Sequence, residues 1–164
     1  MLMLVTRADA RLPAIVRAAV EGGVNMVQIR GAADVNAVRE AARGARVLVN
    51  GVDHLPENAA GHAIGRSVHS VDAAVRAEQE GCEYVVVGSV FPTMSHPDGP
   101  VGGLELVRHV AAAVRIPVIA IGGIKEPNAR SCIDAGARGV AVISAIMDAE
   151  DPKTAAQELW RAIA

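Results

Sequence analysis

Short aliphatic runs recur along this chain, and a longer amphipathic stretch follows most of them. The runs are MLMLVT (1–6), VNMVQI (24–29), RVLVN (46–50), AIGRSVHS (63–70), EYVVVGSV (83–90), IPVIAIGG (116–123) and GVAVISAI (139–146). Helical patterns lie at 10–21, 34–43, 71–80, 103–114, 126–135 and 152–163. Gly22, Gly44, Gly81 and Gly136 each stand where such a helix should stop. Runs that are apolar on both faces and separated by helices predict a parallel sheet covered on both sides.

Composition narrows the class further. The chain has 164 residues, which suits one domain spanning 1–164, and hydrophobic residues make up 51% of it, enough for a sizeable core. Phe91, Tyr84 and Trp160 are the only aromatic residues, so that core must be aliphatic. A net charge of −2 with no basic block argues against nucleic-acid and anionic-membrane partners. No apolar run reaches the ~18 residues of a membrane span, and no signal-peptide pattern opens the chain. Cys82 and Cys132 have no metal-type spacing and make no disulfide framework. These features give the expectation of a cytoplasmic protein with reduced thiols. His54 and His62 lack an acidic helper at fixed offset, so no metal site is expected.

Two architectures fit the alternation. A doubly wound nucleotide binder usually has a glycine-rich turn after its first strand. Here that turn reads TRADARLP, without GxG, and the glycine-bearing turns fall late, at IGGI (121–124) and before AVISAI (141–146). A phosphate site after the last two strands is a feature of (β/α)8 barrels, and that TIM-barrel-like architecture is favoured. Seven strands can be counted, one too few. Residues 51–63 are too few for a strand with two crossover helices. The expected fold is therefore a barrel with a deletion around its third to fifth βα units. One position is vacant there, or filled by an irregular or antiparallel segment near Val52–Leu55.

Ligands of such folds bind at the carboxyl ends of the strands. Arg30 closes the second strand and His69 ends the fourth run. The long loop GSVFPTMSHPDGPVGG (88–103) leaves a buried strand carrying Ser89, Thr93, Ser95 and His96, a composition that points to function. Gly122 and Gly123 offer amides uncovered by side chains, and VISAI adds Ser144 and successive amides at the next strand end. Two such adjacent ends read as a phosphate cup.

The segments VQIR, VNG, IGRSVHS, EYVVVGSVFPT, PVIAIGGI and GVAVISAI, in this order, resemble the thiamin phosphate synthase superfamily, and more closely its TenI branch, the thiazole tautomerases. The resemblance covers nearly the whole chain except 51–62. It implies a (β/α)8 barrel binding a phosphorylated thiazole. Backbone phosphate contacts would fall on Gly122, Gly123, Val142, Ile143 and Ser144. Arg30 would face the ligand as a fixed cation, with Gln28, Asn50 and Thr93 as further substrate-binding residues.

The chain departs from the synthase pattern. Gly31 and Ala32 replace an acid and a lysine after the arginine, and Gly51 replaces an aspartate after Asn50. A second metal-binding aspartate lies in a region the chain mostly lacks, and His96 is the nearest counterpart of a loop lysine. Magnesium-assisted loss of pyrophosphate then lacks electrostatic support. The expectation is accordingly a thiazole tautomerase-type isomerase needing an acid and a base but no metal or cofactor. Ser89 stands where that branch has histidine, which leaves His69 and then His96 as proton carriers. A catalytically silent barrel binding a thiazole or thiamin phosphate is the alternative, and thiamin phosphate synthase the less favoured third. The deletion should bare apolar strand faces, so a homodimer closing over the gap is expected.

Overall fold

The computed structural model describes residues 1–93 and 99–164. Eight parallel strands form a nearly closed barrel: β1 (Leu2–Val5), β2 (Met26–Ile29), β3 (Arg46–Val49), β4 (His54–Leu55), β5 (Gly65–Val68), β6 (Tyr84–Val87), β7 (Val118–Ile121) and β8 (Gly139–Val142). Around them run α1 (Leu12–Glu21), α2 (Val35–Ala41), α3 (Val71–Gln79), α4 (Gly103–Ala113), α5 (Glu126–Asp134), the one-turn α6 (Ser144–Met147) and α7 (Pro152–Ile163). The barrel expectation holds. The last aliphatic run ends as a strand at Val142, because Ser144 already opens α6.

Strand periodicity divides the core in two. Met3, Val5, Met26, Leu48, Tyr84, Val86, Ile119 and Ala141 fill the lumen. The alternate residues, among them Leu2, Leu4, Val27, Val85, Val87, Ala120 and Val140, pack outward against helix faces such as Ile15, Val16 and Ala19.

The missing strand position is neither vacant nor antiparallel. His54–Leu55 pairs parallel to β5, and Asn50 bridges His54 in the same sense. A hydrogen-bonded turn makes the sideways step: the Asp53 amide donates to the Val49 carbonyl at 2.8 Å, and the Val49 amide donates to the Asp53 carboxylate at 2.8 Å. Gly51 takes φ +83° inside that turn, a conformation side chains disfavour. Followed from strand to strand, the registers carry Arg46 to Met26, Met3, Ala141 and Ile121. Continued through Ala120–Val87, Val87–Val68, Gly65–His54 and His54–Asn50, they return to the third strand displaced by eight residues. That is the stagger of a (β/α)8 barrel. The shortening therefore removes helical cover and leaves the barrel's register intact.

An arginine replaces part of that cover. Arg66 lies on the outer face of β5, where the neighbouring strand β6 carries Val85 and Val87, yet it is only 4% exposed. Its guanidinium donates to the carbonyls of Pro56 (3.2 Å), Ala59 (2.7 Å) and Gly61 (2.8 Å), with Glu57 O at 3.5 Å, and pairs with Glu80 at 3.1 Å. The segment 56–61 is thus drawn over the strand by its own carbonyls. The expectation that the deletion bares apolar strand faces is corrected at β5 by this polar solution.

Candidate functional site at the strand carboxyl ends

Because all strands run one way, Arg30, Asn50, His69, Ser89, Gly122, Gly123, Ile143 and Ser144 gather at one end of the barrel. Thr6, buried at the end of β1, ties this rim together. Its hydroxyl accepts from the Arg30 amide at 3.0 Å and donates to the Arg30 carbonyl at 3.2 Å. That reciprocal pair fixes the Arg30 backbone while the side chain stays exposed. Gln28 is buried on β2 in alternation with the lumen residue Met26, and Asn50 is exposed at the end of β3. Beside the β8 end, Arg7 forms an ion pair with Asp148.

The β7 and β8 ends have the features of an anion site. Gly122 and Gly123 take φ +106° and +64°. No described residue accepts a hydrogen bond from the amides of Gly122, Gly123 or Ser144. Asn128 holds the turn by donating to the Gly123 carbonyl at 3.0 Å. The reason for the glycines differs from the one expected, since their bare faces meet protein. A Cβ at Gly122 would lie 2.7 Å from Ser89 Cα, and one at Gly123 would lie 2.5 Å from the Pro92 carbonyl oxygen. The Val90 and Phe91 amides donate to Ile121 and Gly122 carbonyls, zipping this loop along the turn. Val142 packs outward in the helix-covered core, so only its backbone can serve a ligand. Thr93 is half-buried in the same loop, and Ser95 and His96 lie outside the described residues.

His69 does not stand alone. Glu57 Oε2 accepts from the His69 amide at 2.6 Å and lies 3.1 Å from Nδ1. Inside the barrel, His54 Nδ1 lies 3.1 Å from Tyr84 Oη and Nε2 lies 2.8 Å from Ser67 Oγ. Burial, with Arg66 nearby, lowers the His54 pKa to about 4, and burial raises that of Tyr84. Sequence spacing gave no signal for Glu57, Arg66 or His54. Each works across the shortened segment with partners that only the fold brings near.

The donor set does not fit a magnesium site. Gly31, Ala32 and Gly51 supply no oxygen side chains, and the described residues contain no grouping of three His, Cys, Asp or Glu side chains able to hold a metal ion. Among the described residues, no helix is long and apolar enough to cross a membrane.

Comparison with known proteins places this geometry. Residues 53–146 match the family described as thiamine monophosphate synthase. A thiamine-phosphate synthase of Pyrococcus furiosus is 48% identical over 100 residues, 61% of this chain and 48% of the relative, so the match spans about half of that protein. A thiamine-phosphate synthase of Chlorobium luteolum is 38% identical over 194 residues, covering 96% of this chain and 90% of the relative. That alignment is longer than the 164-residue chain, as a shortened barrel requires. In three dimensions, a thiamine phosphate pyrophosphorylase from Pyrococcus furiosus superposes with a TM-score of 0.85 at 34% identity, covering 99% of this chain and 94% of that one.

These relatives overturn the thiazole tautomerase reading, because they carry the synthase name. The geometry agrees with that correction. Ser89, at the tautomerase histidine position, packs against Gly122, and no described histidine ring bonds it. The chain belongs to the thiamine monophosphate synthase family.

Proposed function

We propose that this chain is a thiamine-phosphate synthase-type barrel, taking a phosphorylated thiazole at the β7 and β8 ends, whose ring nitrogen displaces pyrophosphate from a pyrimidinylmethyl diphosphate to form thiamin phosphate. The observation that carries the reading is the pair of adjacent turns whose amides at Gly122, Gly123 and Ser144 have no acceptor among the described residues. Such amides hold a phosphate through its oxygens. Arg30, its backbone fixed by Thr6, supplies positive charge at the rim from an exposed side chain. Gln28 and Asn50 stand beside it as polar contacts, and Val142 and Ile143 carry backbone toward the cup. In the same reading the enzyme is cytoplasmic and dimeric.

A second reading is favoured by one observation. Gly31, Ala32 and Gly51, directly after Arg30 and Asn50, carry no carboxylates, and the described residues form no three-ligand metal grouping to hold a diphosphate leaving group. A barrel of this kind binds phosphorylated thiazole or thiamin without turnover. One experiment separates the two: mix the protein with thiazole phosphate and the pyrimidine diphosphate, measure thiamin phosphate and pyrophosphate, and titrate thiamin phosphate in parallel. Product formation above background supports the synthase. Tight binding with no product supports the silent barrel, and neither binding nor product overturns both.

A further inference from the structure

His69 lies twelve positions after Glu57, and nothing in their spacing links them, yet the fold joins them at the barrel mouth. The link begins at Arg66. Its guanidinium gathers the carbonyls of Pro56, Ala59 and Gly61 and so sets the path of the segment that carries Glu57. The Glu57 carboxylate is three-quarters or more buried, with 20% of its side chain exposed, and it takes both the amide and Nδ1 of His69. A carboxylate can only accept, so Nδ1 carries the proton in the neutral ring. Nε2 is left as a lone pair on a side chain that is 61% exposed.

We propose that Arg66 and Glu57 are positioning residues that present His69 Nε2 as a hydrogen-bond acceptor to an amino-bearing ring of the ligand. The proposal rests on the reading that the β7 and β8 ends hold the ligand's phosphate. β5 lies two strands round the barrel from β7, with β6 between them. A group at its end meets the part of the ligand remote from the phosphate. Thiamin phosphate carries an aminopyrimidine there, whereas thiazole phosphate has no N–H group. His69 therefore discriminates between the two.

The test has two arms. Nitrogen-15 correlation spectra of the full chain should show His69 as the Nδ1–H tautomer. Glu57→Gln and Arg66→Lys should raise the Nε2–H population, since an amide can donate to Nδ1 and a lysine loses the forked grip. A purely structural Glu57 would leave the tautomer unchanged, and that result overturns the proposal. In the second arm, calorimetric titration of His69→Asn should show thiamin phosphate binding about three- to tenfold weaker, the loss of one neutral hydrogen bond, with thiazole phosphate unaffected. His69→Gln, which places an acceptor near Nε2, should recover part of the loss. Equal weakening of both ligands, or of neither, overturns the proposal while the phosphate site stands. Failure of the wild-type protein to bind either ligand overturns the underlying reading as well.

Discussion

The ring of Tyr84 occupies the space where Gly65 would carry a side chain. A Cβ at Gly65 would lie 2.1 Å from Tyr84 Cζ. The two residues are paired across β5 and β6, so the ring crosses its neighbour strand and fills the lumen there. Gly65→Ala forces the ring away and should destabilise the fold by about 1–3 kcal/mol, the usual cost of overpacking. In denaturant titrations, Gly65→Ala combined with Tyr84→Leu should cost clearly less than the two single changes together. Simple additivity would refute the clash.

His54 should give stability a pH dependence of defined sign. Its pKa falls from 6.5 to about 4 on folding because the buried ring resists charging. Between those values the unfolded chain binds the proton and the folded one does not, so stability rises with pH from about 4 to 6.5 and is level above. A shift of this size corresponds to about 3 kcal/mol across the window. His54→Gln should flatten that stretch of the curve. An unchanged slope in the variant would assign the effect to other groups.

The β–α alternation was legible because buried parallel strands read as aliphatic runs such as YVVV and VIAI. β4 was not, since two residues have no periodicity and Pro56 follows at once. Arg66 escaped for the opposite reason. A charge within a strand reads as a break in the pattern, while four of its partners are carbonyls that no side-chain pattern encodes and the fifth, Glu80, lies at the end of the next helix. Of the site, the strand-end residues Arg30, Gly122, Gly123 and Ser144 could be read from position alone. The packing reason for the glycines could not, because it depends on Ser89 and Pro92 across the turn.

The cup is best probed at Ser144, which is exposed. Ser144→Asp puts a carboxylate beside the free amides, where the opening turn of α6 tolerates it. Thermal stability should hold, and phosphate-ligand affinity should fall by more than about tenfold. Gly123→Ala makes the contrast: its φ of +64° and the Pro92 carbonyl predict lost stability and lost binding together. Unchanged affinity in Ser144→Asp would place the phosphate elsewhere.

Arg30 should matter through its fork as well as its charge. Thr6 holds only its backbone, so Arg30→Lys leaves the rim intact while removing paired N–H contacts to an anion. Affinity for thiamin phosphate should drop in Arg30→Lys and further in Arg30→Ala, each at unchanged melting temperature. Equal binding by all three proteins would exclude Arg30 from the site.

The seam between β3 and β4 is where a second copy should meet this chain. A single bridge, Asn50 to His54, joins those strands, against continuous ladders between the other neighbouring strands. Arg66 and the 56–61 segment cover β5, but Val47 and Val49 on β3 stay half-buried and Val52 is 67% exposed. Apolar residues beside an incompletely paired edge favour association. Light scattering during size-exclusion chromatography should therefore return the mass of a dimer at micromolar concentration. Val52→Glu should shift it to monomer without lowering the helical signal, because Val52 belongs to neither core cluster. A wild-type monomer at that concentration would mean that one bridge and the Arg66 clamp suffice to complete the barrel.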